Sequence, residues 1–120
     1  MAEHNLVGEK GEQVATNFLI KKGYEILERN WRYKKAEIDI IAINNNQFIV
    51  VEVKTRTSEE FESPKESVTI PKQKNIVKAA DAYIQENEIE LECRFDVISV
   101  LLLGSKIKIE HIKDAFYPLL

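Results

Sequence analysis

The sequence predicts a single α/β domain over residues 1–120, with elements in the order α-β-β-β-α-β-β. Two segments, one near the start and one around position 76, carry apolar residues at helical spacing. Five others are rich in isoleucine, valine and leucine, either alternating or in short unbroken runs bounded by Gly or Asn. A chain of 120 residues holds one hydrophobic core and is too short for two ordinary ones.

Residues 5–22 read as the first helix. Asn5 can cap it, Val7, Val14, Ala15, Phe18 and Leu19 form its stripe, and Lys21-Lys22 precede Gly23 at the exit. Gly8 and Gly11 oppose it at roughly 1 kcal/mol each relative to Ala. Strands follow over 24–33, 37–44 and 47–55, the last two joined through Asn44-Asn45-Asn46, which tolerate left-handed backbone. Residues 57–70 are polar, contain Pro64 and read as a loop. Pro71 suits the first position of a second helix running to about Asn87, with Ile76, Val77, Ala80, Tyr83 and Ile84 as its stripe. Strands over 94–103 and 106–112 close the chain as a hairpin about Gly104-Ser105.

Composition narrows the function. With 17 Lys+Arg against 20 Asp+Glu the net charge is −3, so any nucleic-acid binding has to come from a local basic patch. Cys93 is the one cysteine, which excludes an intrachain disulfide, and His4 and His111 are too few for a structural zinc site. The start, MAEHNLVGEKGEQ, lacks a signal-peptide core, and no apolar run approaches the ~18 residues that span a bilayer. The expectation is a soluble cytoplasmic protein with no membrane partner.

The informative anomaly is residues 37–56, EIDIIAINNNQFIVVEVKTR, where Glu37, Asp39, Glu52 and Lys54 interrupt the most hydrophobic stretch. Alternation puts Phe48, Val50, Glu52 and Lys54 on one face of the third strand and Ile49, Val51 and Val53 on the other. A two-residue Asn45-Asn46 turn pairs Ile43 with Phe48 and Ile41 with Val50, and therefore sets Asp39 opposite Glu52 and Glu37 opposite Lys54. Opposed Cβ atoms lie about 4.5–5.5 Å apart, and like charges there are destabilising unless a cation or proton lies between them. Mg²⁺ takes one or two carboxylates and keeps water or phosphate on its other positions, so it suits this pair. An ammonium two residues further along can hold a phosphate or orient a water. An ordinary half-exposed sheet face, with Glu37 paired to Lys54 and Asp39 solvated, would account for the same spacing, and a three-residue turn would separate Asp39 from Glu52.

Asp39 followed by Glu52-Val53-Lys54, after an N-terminal helix, resembles the PD-(D/E)xK nucleases of restriction-endonuclease-like fold. The wider set, Gly11-Glu12-x-x-Ala15, Arg29-Asn30-x-Arg32, Glu37-Ile38-Asp39-Ile40-Ile41 and Val51-Glu52-Val53-Lys54-Thr55-Arg56, is similar to the YraN-type bacterial proteins, which are predicted endonucleases. The resemblance implies a mixed central sheet flanked by helices and a metal-dependent nuclease. Asp39 and Glu52 would bind Mg²⁺ (or Mn²⁺), the carbonyl of Val53 would be a further ligand, Lys54 would position or activate the attacking water, and Glu12 would be an accessory acid. Ile38 stands where the superfamily often has proline, and Ala36 where the closer family usually has glycine.

Arg29, Arg32, Lys34 and Lys35, interleaved with Trp31 and Tyr33, form a candidate surface for phosphates and unpaired bases, DNA above all. Packing of Trp31 in the core on a solvated edge strand would explain the same residues. Arg56, Lys72 and Lys74 join the candidates if the loop and the second helix border the site, because helix N-termini favour phosphate. Cys93 and His111 read as packing residues, and Asp96 as a salt-bridge partner or a neighbour of the site. A homodimer reaching both strands is compatible with a nuclease. Two other classes stay open: a non-catalytic nucleic-acid-binding or accessory protein that keeps the fold, and a protein-interaction domain, which needs an exposed apolar face.

Overall fold

A computed structural model describes residues 6–58 and 68–118. The elements are α1 (Leu6–Lys21), β1 (Glu25–Tyr33), β2 (Ala36–Asn44), β3 (Gln47–Arg56), α2 (Ile70–Glu86), β4 (Glu92–Leu103) and β5 (Lys106–Phe116), the predicted order. The proposed Asn5 cap, His4 and most of the 57–70 loop with Pro64 fall outside the described residues. Bounds differ by one or two residues except in β5, which runs four residues past the predicted end. Asp114, at φ 53°, gives the strand an irregularity where pairing with β4 shifts between Phe95 and Val97.

The five strands lie in the order β1-β2-β3-β4-β5. The β1–β2, β2–β3 and β4–β5 pairs are antiparallel, and β3–β4 is parallel. A parallel neighbour cannot be reached by a tight turn, so the chain crosses from β3 to β4 through α2. The sheet is therefore mixed. Asn45 and Asn46 take φ of 51° and 61°, the left-handed pair that a two-residue hairpin demands. That turn imposes the expected register, Ile43 with Phe48 and Ile41 with Val50.

Each sheet face carries one helix. Ala15 and Leu19 of α1 cluster with Ile40, Ala42, Ile49, Val51, Val53, Ile98 and Val100. Ile76, Ala79, Ala80 and Tyr83 of α2 cluster with Ile38, Ile41, Phe48, Val50, Phe95 and Val97 on the other side. Strands covered on both faces read as near-continuous apolar runs, which is why IDIIAI and FIVVEV show so little alternation. Among the described residues no helix is long and apolar enough to cross a membrane.

Gly11 lies buried in α1, and a Cβ there would stand 1.8 Å from Oγ1 and 2.7 Å from Cβ of Thr55. The glycine that weakens the helix by propensity thus permits α1 to lie against β3. On the same face, Arg94 donates through Nε and Nη2 to the two carboxylate oxygens of Asp96, both at 2.9 Å. It also reaches Tyr24 and Gln47, while His111 lies 2.7 Å from Asp96 and the Asp114 N–H donates to it at 3.1 Å. Asp96 is the salt-bridge partner of the two readings. Burial pushes its carboxyl up, but the His111, Arg94 and Asp114 hydrogen bonds outweigh burial and hold it below the usual value.

Gly11→Ala is expected to destabilise the protein by about 1–3 kcal/mol in urea unfolding, although an exposed helix would gain up to about 1 kcal/mol from that change. Asp96→Asn leaves the buried Arg94 cation uncompensated and is expected to cost about 3–5 kcal/mol. Because the folded Asp96 value is depressed, its stabilisation is present above the unfolded value of 3.8 and is lost as pH falls through the folded value. Acid unfolding curves of wild type and Asp96→Asn should therefore converge at low pH.

Candidate active site

The β2–β3 ladder ends at Ile40–Val51, one step before Asp39 and Glu52. There the Asp39 carboxylate replaces the backbone, and the Val53 N–H donates to its Oδ2 at 2.7 Å. Strict alternation, assumed from sequence, fails at this point. Ile38 and Ile41 both pack on the α2 side, whereas Ile40 and Ala42 face α1. The adjacent β1 residue Asn30 takes φ 53° between the Arg29–Ile40 and Trp31–Ile38 pairs, so the irregularity crosses both strands. Glu37 and Lys54 consequently are not ladder partners.

Glu52 stays on the predicted face and is buried at 5% exposure. Its Oε2 meets Nζ of Lys72, the third residue of α2, at 2.5 Å. A depression of about 230 Å³ opens here, lined by Lys35, Glu37, Asp39, Glu52, Lys72 and Asn75 among others. The start of α2 is held by Thr69, whose Oγ1 accepts the Lys72 N–H at 3.3 Å, with Pro71 in the first turn. Gln73 is occupied structurally and donates to the Val68 carbonyl at 2.9 Å.

The electrostatics follow from this crowding. Burial, then the Glu52 charge, then Glu12, raise the Asp39 carboxyl well above its ordinary value, and the Val53 hydrogen bond and Lys72 only partly offset them. Burial and the Lys72 ammonium lower Lys54, against the pull of Glu52 and Asp39. For Lys72 burial acts downward, but Glu52 prevails and the ammonium is held above its usual value.

Of the residues singled out from sequence, Asp39, Glu52, Lys54, Lys72 and Lys35 converge here. Glu12 approaches from α1 on the neighbouring face and acts on Asp39 through its charge. Arg29 is turned toward α1, bonding Gln13 at 3.0 Å with Glu12 at 4.0 Å. Arg32 and Lys34 are exposed beyond it. Arg56 donates to Ser99 at 3.3 Å, and Lys74 lines a separate depression with Val77, Lys78 and Tyr117. Trp31 packs edge-on against Tyr83 with centroids 5.1 Å apart and stacks on Tyr33 at 6.3 Å, which is the core-packing alternative. Cys93 is half-buried, its thiol pushed up to about 12 by burial and by Asp96, which disfavours the nucleophilic thiolate.

The donors fit a hard divalent cation in kind, since all are oxygen. Among the described residues no three or more His, Cys, Asp or Glu side chains group closely enough to hold a metal alone. A cation at Asp39 and Glu52 would therefore retain water or backbone oxygens, as Mg²⁺ does. Sequence reasoning put Lys72 among the phosphate contacts and missed its grip on Glu52. A signal existed: cations oppose the dipole at a helix N-terminus, yet α2 has a lysine and no acid in its first turn.

Comparison with known sequences adds the family. The model of the family described as "Uncharacterised protein family UPF0102" matches residues 11–100. A UPF0102 protein of Flavobacterium psychrophilum is 51% identical over 117 residues, covering 98% of each chain. One of Christiangramia forsetii is 49% identical over 117 residues and one of Bacteroides thetaiotaomicron 47% over 118, each again covering 98% of both chains. The matched span runs from Gly11 to Val100 and includes every residue of the depression, and on these likenesses the chain belongs to the UPF0102 family.

Proposed function

We propose that this protein is a metal-dependent nuclease, in the first place a DNA endonuclease, built on a restriction-endonuclease-like PD-(D/E)xK scaffold. The observation that carries the reading is the convergence of Asp39 and Glu52 at the end of the β2–β3 ladder, with Lys54 on the same strand face as Glu52. The raised Asp39 carboxyl supports it: burial first, and then the Glu52 charge, disfavour the bare carboxylate, and a bound cation would relieve both.

In this reading Asp39 and Glu52 would hold Mg²⁺ or Mn²⁺, with the Val53 carbonyl as a further candidate ligand. The ion would polarise the phosphodiester and lower the pKa of a water molecule. Asp39, anchored by the Val53 N–H, keeps its carboxylate aimed at the depression. Lys54, partly desolvated beside the Lys72 ammonium, would orient the attacking water or hold a non-bridging phosphate oxygen. Glu12 adds negative charge behind Asp39. Lys35 at the rim, with Arg32 and Lys34 beyond it, would guide the phosphate backbone. A domain of this size has little area for reading bases, which favours recognition of nucleic-acid structure over a long sequence.

Asp39→Asn removes the most frustrated charge while keeping an oxygen for the Val53 N–H. The metal-free variant is expected to be more stable than wild type by about 0.5–2 kcal/mol, the exchange typical of active sites. Added Mn²⁺ should raise the melting temperature of wild type and leave Asp39→Asn unmoved. Against linear, branched and single-stranded DNA and RNA, Glu52→Gln and Lys54→Ala should each cut at least one substrate about 10²–10³-fold more slowly than wild type. Nucleic-acid affinity unchanged in Lys54→Ala separates this from charge attraction alone. No metal-dependent cleavage of any substrate by wild type, with nucleic-acid binding intact, would favour a non-catalytic binding protein on the same scaffold.

A further inference from the structure

We infer that Lys72 is a tethered cation that competes with the divalent metal for the Asp39–Glu52 pair, so that the ion binds only by displacing the lysine. The inference rests on the metal-site reading above and concerns how that site is controlled.

The two partners of the Lys72–Glu52 pair are unequal. The Glu52 side chain is 6% exposed, on a strand paired to β4 at Val97, whereas the Lys72 side chain is 43% exposed, on the first turn of a helix. The acid is fixed and the base can leave by rotating its own side chain, with no strand or helix displaced. Glu52, which Lys72 contacts, also lines the depression that it shares with Asp39.

Lys72 has little other reason to be there. The dipole of α2 disfavours a cation at this end, and the Lys54 ammonium is close by and repelled by it. What holds Lys72 is the acid pair. Lys72 neutralises Glu52 by direct contact, but its effect on Asp39 is the weakest of the influences on that carboxyl. One monovalent charge bound to one of two acids is an incomplete substitute for a divalent ion held by both. It is strong enough to hold the metal-free pair together and to raise the concentration at which the metal enters.

The test is a Mn²⁺ titration of the full-length ¹⁵N-labelled chain by NMR line broadening, with calorimetry in parallel, for wild type, Lys72→Gln, Lys72→Arg and Asp39→Asn. Broadening centred on residues 37–41 and 51–55 should reach half-saturation at about tenfold lower Mn²⁺ in Lys72→Gln, corresponding to about 1.4 kcal/mol. Lys72→Arg, which keeps the charge, should behave as wild type. Metal-free Lys72→Gln should melt below wild type and gain more from Mn²⁺. If Lys72→Gln binds Mn²⁺ no tighter than wild type while Asp39→Asn abolishes broadening, the metal site stands and the competition is wrong. If broadening in wild type is indifferent to Asp39→Asn, the metal-site reading and this inference fall together.

Discussion

The hydrogen bond from the Val53 N–H to Asp39 is the interaction on which the site depends. It occurs one step after the last β2–β3 backbone pair, where two strands must separate if anything is to fit between them. A separating pair would normally leave an N–H unsatisfied among apolar residues, at a cost of about 1–3 kcal/mol. Here a side chain satisfies it, so the hairpin opens without an orphaned donor. The same contact fixes the carboxylate, which becomes at once part of the sheet and part of the wall of the depression.

Both helices are aligned to that point. The absence of a side chain at Gly11 lets α1 touch Thr55 and carries Glu12 toward Asp39 from one face. On the other face, Thr69 and Pro71 start α2 where Lys72 reaches Glu52. The parallel β3–α2–β4 crossover makes this possible, because α2 begins just beyond the C-terminal end of β3. Charge from three elements is thereby concentrated at one end of one strand, while the rest of β3 is buried by aliphatic packing.

The element order, the hairpin register and the shared face of Glu52 and Lys54 were readable from sequence, because they depend on local chemistry: two asparagines that accept left-handed backbone and a side-chain period of two. The break in alternation around Asp39 was not. It depends on Asn30 in the neighbouring strand and on a side chain standing in for a backbone partner, and neither leaves a pattern in the hydrophobic periodicity. Gly11 read as a weakness of the helix because propensity knows nothing of Thr55, 44 positions away in the chain. Arg29 was grouped with the phosphate contacts for its place among cations and aromatics and Lys74 for its place at the start of the second helix, and the fold directs one to α1 and the other to a different depression.

Asp39 and Asp96 show that burial alone does not set the proton affinity of an acid in an apolar sheet. They lie on strands either side of β3, and Asp96 is the more buried, at 0% exposure. Yet its carboxylate receives a bidentate guanidinium, a histidine and a backbone N–H, and its proton affinity falls. Asp39 is desolvated by burial, receives one backbone N–H and faces two other acids, and its proton affinity rises. The first arrangement is complete and serves to join β4, β5 and the chain at Tyr24. The second is satisfied by hydrogen bonding yet under-compensated in charge, and a sheet able to build the first has no structural need of the second. That contrast within one sheet is the physical argument for reading Asp96 as architecture and for proposing a cation at Asp39.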